Sequence, residues 1–275
     1  MVNIQSTASN LVEAGDGLWV SKNHSAVSYP EAGMDFTYQL EEQSYWFIHR
    51  NNCITALIDR FHPQGVFFDI GGGNGFVSQA LQRMGIQTVL VEPDPAGSQH
   101  ALERGLRPVI CATLDDAGFI AGSMDAVGLF DVLEHIEDDG AFLQKIHHLV
   151  KPGGRLFITV PAYTLLWSID DVSAGHFRRY GLKDLCQRLK MAGFEIDFAT
   201  YIFFLLPLPI ALFRAIPSRL GWRKEIELNN PAIKNEYVSS SSLLQTLLSL
   251  ELPWLKRLKS IPAGGSCLVA ASRKK

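Results

Sequence analysis

A run of bulky apolar residues that ends in an acid and then four glycines within five positions constrains this chain more than any other feature. The stretch is FFDIGGGNG, residues 67 to 75. Each glycine gives up a side chain and adds a backbone-entropy cost to folding. A packed core has no use for that pattern, so something must approach the backbone closely here. Phe76, Val77, Ala80, Leu81 and Met84 follow as a helical stripe, with Gly85 placed to end it. The glycines therefore sit between a short strand (66–70) and a helix.

The same alternation continues. Strands are expected at TVLVE (88–92), RPVIC (107–111), DAVGLFDV (125–132), RLFITV (155–160), FEIDFATYI (194–202) and SCLVAAS (266–272). Helical stripes fall over 96–105, over 141–150 and around Leu182, Leu185, Cys186 and Leu189. Seven strands with helices of this length between them predict an α/β chain with a parallel sheet covered on both faces. About sixty residues between the last two strands fit no strand–helix repeat, far more than the usual connection of ~4–6 residues. They read as a cover over an active site. The opening ~34 residues show no sustained period and read as a loosely ordered arm. Asp35 to Phe61 then turns helical, with Phe47, Ile54, Leu57, Ile58 and Phe61 on one face.

In an open α/β sheet a loop after the first strand lies in the ligand crevice. A dinucleotide loop is GxGxxG, and from Gly71 that pattern would want glycine or alanine where Phe76 stands. From Gly72 it fails at Asn74. What the chain has is Asp69-x-Gly71-x-Gly73-x-Gly75. Glu92 ends the second strand, where a carboxylate can accept both hydroxyls of a ribose. FDVLEHIED (130–138) ends the fourth strand, and LKPGGRLFITVP turns a helix into the fifth.

In that order and spacing, these motifs resemble the class I S-adenosylmethionine-dependent methyltransferases. EEQSYWFIHRN and GHFRRYGLKDL resemble signatures of one bacterial small-molecule branch, of the type 11 and type 12 kind. The resemblance implies a Rossmann-like seven-stranded, mostly parallel sheet with helices on both faces and an antiparallel C-terminal strand. A largely helical insertion stands between the last two strands. It implies an arm and helices over the cofactor site (1–61), a cofactor-binding core (62–204 and 263–275) and a substrate-covering insertion (205–262). S-adenosylmethionine is the implied cofactor, held by Asp69, Gly71, Gly72, Gly73, Gly75, Glu92, Pro93, Phe130 and Asp131. The adenine end is assigned to Thr113 and Leu114, because the acid that many members carry at the end of the third strand is missing here. Asp115 is the other candidate there. Asp69 suits the neighbourhood of the cofactor's ammonium group.

The implied reaction is an in-line methyl transfer in which the protein chiefly aligns the acceptor and excludes water. His135 and His176 are the candidate bases for a hydroxyl or ammonium acceptor. Trp46 and Arg50 lie one helical turn apart; Arg50 is assigned to the cofactor carboxylate and Trp46 to closing the site. Tyr45, Arg178, Arg179 and Tyr180 are the substrate-side candidates, one arginine for an anionic group and Tyr180 as a hydrogen-bond donor.

Composition narrows the acceptor. Twenty-five basic against twenty-eight acidic residues give a charge of −3, which does not favour nucleic acid. The fourth strand also ends in DVLEH rather than the Asp/Asn-Pro-Pro-aromatic turn of DNA amino-methyltransferases. A small-molecule acceptor follows. The insertion, rich in Leu, Phe, Ile and Pro, points to an apolar or aromatic one, either free or lipid-linked and met at a membrane surface. A homodimer interface is the other use for such a surface. SSSSLLQTLLSLELPWLKRL is expected to be a capped amphipathic helix. Cys53, Cys111, Cys186 and Cys267 form no CxxC pair and read as thiols of a reducing compartment, and no metal-ligand spacing is seen. YIFFLLPLPIALF (201–213) is too short to span a bilayer and is broken by Pro207 and Pro209. With no basic-then-apolar start, a cytoplasmic chain is expected. Two other readings stay open: a nicotinamide-dependent oxidoreductase, and a protein that keeps the cofactor pocket without transferring a methyl.

Overall fold

The computed structural model describes residues 2–23, 33–223 and 242–275, without the side chains of 242 and 243. Nine strands form one sheet: β1 (Leu11–Gly15), β2 (Leu18–Ser21), β3 (Phe67–Ile70), β4 (Thr88–Val91), β5 (Val109–Cys111), β6 (Met124–Phe130), β7 (Val150–Pro161), β8 (Phe194–Ile202) and β9 (Ser266–Arg273). Their order across the sheet is β1-β2-β5-β4-β3-β6-β7-β9-β8. The neighbours from β2 through β7 pair in parallel, and β9 runs antiparallel between β7 and β8. The chain travels outward from β3 to β5, then returns to place β6 on the other side of β3. That reversal opens the crevice at the carboxyl ends of β3 and β6. The fold is thus the expected Rossmann-like one, with two more strands than the seven foreseen.

The extra strands correct the reading of the opening segment. Residues 11–21 form a hairpin that pairs along the β5 edge, closed by Asp16 and Gly17 at φ +50° and +76°. Two consecutive positive φ values suit the tight hairpin turn whose twist matches its strands. Part of the predicted arm, residues 24–32, lies outside the described residues.

The helices are α1 (Gly33–Leu40), α2 (Tyr45–Phe61), α3 (Phe76–Arg83), α4 (Pro95–Glu103), α5 (Leu114–Ala117), α6 (Asp139–Leu149), α7 (Ile169–Ser173), α8 (Leu182–Met191), α9 (Pro207–Ile210), α10 (Ile216–Arg219), α11 (Ser242–Ser249) and α12 (Leu252–Lys256). The helical pattern from Asp35 to Phe61 is two helices, because Ser44 caps the second through the amide of Trp46. Alternation along the strands divides the core. Phe68, Val127, Leu156 and Ile158 face one layer, and Phe67, Ala126 and Phe157 face the other, against Ile54, Leu57 and Ile58 of α2.

The insertion packs on that second layer through Phe203, Leu206, Ile210, Leu248 and Leu255. A π-helical stretch (Ala211–Ala215) joins α9 to α10. The expected single helix near its end is instead α11 and α12, because Pro253 cannot continue a helix. The serine cap expected before it, together with 224–241, lies outside the described residues. One buried acid locks this cover to the core. Glu251 accepts hydrogen bonds from the amides of Phe203 (2.9 Å) and Phe204 (2.6 Å), and its Oε2 lies 3.0 Å from His49 Nε2 on α2.

Candidate functional site

The loop after β3 answers the question its glycines raise. Gly71, Gly73 and Gly75 all have positive φ, which L side chains rarely adopt. A Cβ on Gly71 would sit 2.7 Å from Val132, one on Gly72 would sit 2.9 Å from Asp69 and from Leu90, and one on Gly75 would strike Leu106. At three positions, then, the protein itself fills the space. Gly73 differs: its nearest neighbour among the described residues is the Met34 sulfur at 3.9 Å. Gly73 is where the loop leaves room for a ligand.

Buried acids surround it. Glu92 accepts from the amides of Gly73 and Asp94, both at 2.8 Å, which leaves two of its roughly four lone-pair sites for a ligand's hydroxyls. Asp69 accepts from the Ser78 hydroxyl at 2.7 Å on Oδ2, while its buried Oδ1 has no hydrogen-bond partner among the described residues. Burial pushes Glu92 up to about 7, against the amides of Asp94 and Gly73, which lower it. Burial likewise pushes Asp69 up to about 6, opposed by Ser78 and by the charge of Arg50. Glu41, under the same loop, is raised by burial to about 7 despite Arg104. An orphaned carboxylate oxygen, spare acceptor sites and one open glycine fit a cationic nucleoside such as S-adenosylmethionine.

Across the switch point, Asp131 stands at φ +57° after β6, where it pairs with the buried Arg50 and accepts from the Thr159 hydroxyl. Arg50 is thus held by a side chain at the end of β6, whereas a cofactor carboxylate was the expected partner. Its Nε has no hydrogen-bond partner among the described residues. Glu134, which the sequence reading passed over, is buried beside this pair. Burial and the Asp131 charge hold it well above the usual carboxylate range.

The two candidate histidines meet. The rings of His135 and His176 lie edge to face with centroids 4.8 Å apart. Burial and the neighbouring His176 push His135 down to about 4, so it is neutral near pH 7. His176 Nδ1 lies 3.0 Å from Asp171 Oδ1, and Asp171 also accepts from Arg179 Nε at 2.7 Å and from the Ser168 amide at 2.9 Å. Burial raises Asp171, but His176, Arg179 and Ser168 outweigh it and hold the carboxyl below its ordinary value. Asp171 was missed in the sequence, although Ser168-x-x-Asp171 is a capping box that starts α7. The fold also gathers His49, Cys53 and Glu251, and Glu134, His135 and His176, into two clusters of possible metal donors within 4.8 Å that sequence spacing did not show.

Other candidates stand elsewhere. Tyr180 is a core residue whose hydroxyl donates to Asp139 at 2.9 Å, which corrects its assignment as a substrate donor. Arg178 also pairs with Asp139, at 2.9 Å, and Arg179 with Asp171, so both arginines are occupied within the protein. Trp46 stacks on Phe203 at 4.1 Å, against the root of the insertion, and Tyr45 packs in the same layer. Phe130 turns its ring into the core against Phe67, leaving only its backbone at the crevice. Thr113 caps α5 by accepting from the Asp116 amide, and Leu114 is buried behind it. Pro93 follows Glu92 and receives the Cys111 thiol on its carbonyl at 3.7 Å.

These shifts set a pH dependence. Glu92, Glu41 and Asp69 have folded values above those of an unfolded chain, so the folded state binds more protons and stability falls as pH rises through about 6 to 7. His135, depressed to about 4, acts oppositely and removes stability as pH falls below its unfolded value near ~6.5. Glu134, held high as well, acts in the same direction, so lowering pH from about 8 to 6.5 should stabilise the ligand-free protein by at least about 1 kcal/mol, a rise of a few degrees in thermal midpoint. A flat or falling midpoint over that window, followed by calorimetry, would refute the buried-acid account.

Comparison with known proteins adds independent findings. The family model described as a methyltransferase domain matches residues 45–197, more than half of the chain. A ubiquinone biosynthesis O-methyltransferase of Xanthomonas axonopodis pv. citri is 34% identical over 107 residues, covering 36% of this chain and 45% of that protein. The chain thus spans less than half the length of the curated relatives it matches. Among solved structures, a Haloferax volcanii protein in complex with the Trm112 methyltransferase activator superposes with a TM-score of 0.54 at 15% identity, covering 89% of this chain and 94% of that one. The [4+2]-cyclase SpnF superposes at 0.52 with 18% identity, covering 82% and 81%. At these identities the superpositions speak for the fold alone.

Proposed function

The chain belongs to the methyltransferase-domain family, and from that premise we propose that it transfers a methyl group from S-adenosylmethionine to a small, apolar or aromatic acceptor. The observation that carries this reading is the pairing of open Gly73 with the buried acids Glu92 and Asp69. A nicotinamide dinucleotide brings a pyrophosphate, and its two negative charges would face acids rather than a glycine loop's amides and a cation. A sulfonium nucleoside brings positive charge, which an ionised Asp69 and Glu92 favour.

When bound, S-adenosylmethionine supplies an electrophilic methyl on sulfur. The chain's own part is to hold, orient and dry the site. Glu92 would accept the ribose hydroxyls, Asp69 would face the ammonium group, and Arg50 with Asp131 would fix the crevice wall. Thr113 and Leu114 would border the adenine. His176, oriented by Asp171, would take the proton of a hydroxyl acceptor at Nε2, with neutral His135 beside it. The insertion would exclude water and meet the acceptor's apolar body. The four cysteines, with no CxxC pair among them, favour a reducing, cytoplasmic setting.

The curated relatives, O-methyltransferases of ubiquinone biosynthesis, favour an oxygen acceptor. A second reading is a pocket that binds the cofactor without transferring its methyl, since a cyclase shares this fold. Calorimetric titration with S-adenosylmethionine, S-adenosylhomocysteine and NADH tests the proposal. Micromolar binding of the sulfur nucleosides and none of NADH is the expected result. Tight NADH binding alone would overturn it.

A further inference from the structure

We propose that the outer face of the insertion docks on an anionic lipid surface, so that the site draws its acceptor from the membrane. This rests on the apolar-acceptor reading above. The face is built by the continuous helical run from α9 to α10. Leu208, Leu212, Ile216 and Leu220 recur every fourth residue, so they line one side of it. All four are exposed, Leu208 at 67%, and Phe213 and Trp222 beside them are 71% and 77% exposed. Six large apolar side chains within fifteen residues are too many for scattered surface residues. Trp254 on α12 adds a second exposed indole, the side chain favoured at membrane interfaces.

Charge identifies the partner. The whole chain is acidic, at −3, yet the insertion (205–262) carries eight Lys and Arg against four Glu. Glu251 is buried and bonded inside. Asp170 of α7 pairs with Arg214 and Arg223, so the outward charge is that of Lys256, Arg257 and Lys259, all exposed. Arg219 anchors the run by donating to the Leu165 carbonyl, and the Ser218 hydroxyl accepts from the Ile169 amide. An apolar stripe with basic residues beside it is what an interfacial helix presents to anionic headgroups. No helix among the described residues is long and apolar enough to cross a membrane, so the contact is peripheral. The route to the site is short in the fold: Phe203, at the root of this run, stacks on Trp46 of α2, four residues before Arg50.

Co-sedimentation of the full chain with vesicles tests this. Phosphatidylcholine vesicles with about one-third phosphatidylglycerol should retain the protein, and pure phosphatidylcholine far less. The double variant F213D/W222D should lower partitioning tenfold or more. Each of Lys256→Gln and Lys259→Gln should lower it about fivefold, and added salt should do the same. Sedimentation velocity and S-adenosylmethionine titration accompany each variant. Parent and variants should be of one oligomeric state and bind the nucleoside equally. Retention that ignores phosphatidylglycerol or the double variant would overturn the proposal. So would a parent dimer that F213D/W222D makes monomeric, since the face would then seat a second copy. Failure to bind S-adenosylmethionine, with vesicle binding intact, would instead sink the methyl-transfer reading.

Discussion

Calorimetric titration of a Glu92→Gln variant should give a dissociation constant for S-adenosylmethionine about a hundredfold above that of the parent chain. Glu92 already accepts from two amides, Gly73 and Asp94. A glutamine would have to turn its NH₂ toward one of those N–H groups, setting donor against donor. The Gly73 amide would then lose its anchor at the glycine where the loop is open. Two ligand hydroxyls would also lose a charged acceptor, and hydrogen bonds to charged groups contribute about 1.5–3 kcal/mol each. A net loss of roughly 3 kcal/mol is a hundredfold. Folding should survive the change, because the carboxylate is buried and raised to about 7, so removing its charge relieves a desolvation cost. The thermal midpoint of the ligand-free variant should stay within a few degrees of the parent. The parent's affinity should also weaken as pH falls below about 7, where Glu92 takes up a proton, and the variant should lose most of that slope. Unchanged affinity in the variant would place the ribose elsewhere and remove the reason for Glu92's position.

What could be read in the sequence was what local patterns encode. Strand and helix periods from Phe67 to Ile202 gave the parallel sheet, because each apolar run must bury a face and the turns between are glycine- and proline-marked. The crevice followed from position alone: Gly71 to Gly75 after β3 and Glu92 after β4. The hairpin of β1 and β2 was equally local, since Ala14-Gly15-Asp16-Gly17 carries a two-residue turn signal between apolar residues. It was overlooked because strands this short, with exposed outer faces, show almost no alternation. Pro253 was also in plain view, and it divides α11 from α12.

The rest depends on contacts across the chain. Arg50 and Asp131 are 81 residues apart, and no pattern around Trp46 or Arg50 announces that the arginine's partner stands just after β6. His49 and Glu251 are 202 residues apart, so the polar tie between cover and core is written in no motif. Tyr180 and Arg178 looked like substrate groups because they flank His176. Their partner Asp139 starts a helix about forty residues upstream and takes both. Polar residues next to a motif are as often its scaffold as its chemistry, and only burial and pairing tell them apart.

Replacing His176 by glutamine should slow methyl transfer to a hydroxyl acceptor by roughly 10²- to 10⁴-fold, the usual contribution of a positioned base. The geometry singles out His176 over His135. Asp171 is buried and held below its ordinary value by His176, Arg179 and Ser168, so it is an anion at neutral pH. An anion 3.0 Å from Nδ1 keeps the proton on that nitrogen and leaves Nε2 with its lone pair free for the acceptor. His135, pushed to about 4, cannot carry a proton away near pH 7, but its neutral ring keeps a second positive charge out of the site. Asp171→Asn should therefore slow transfer as well, by disfavouring the working tautomer rather than removing the base. Both losses should fall on kcat, with S-adenosylmethionine affinity unchanged in calorimetry. A His176→Gln variant that keeps the parent kcat would show that His176 holds the loop after β7 and takes no proton. The acceptor atom would then be a carbon or sulfur that needs no base.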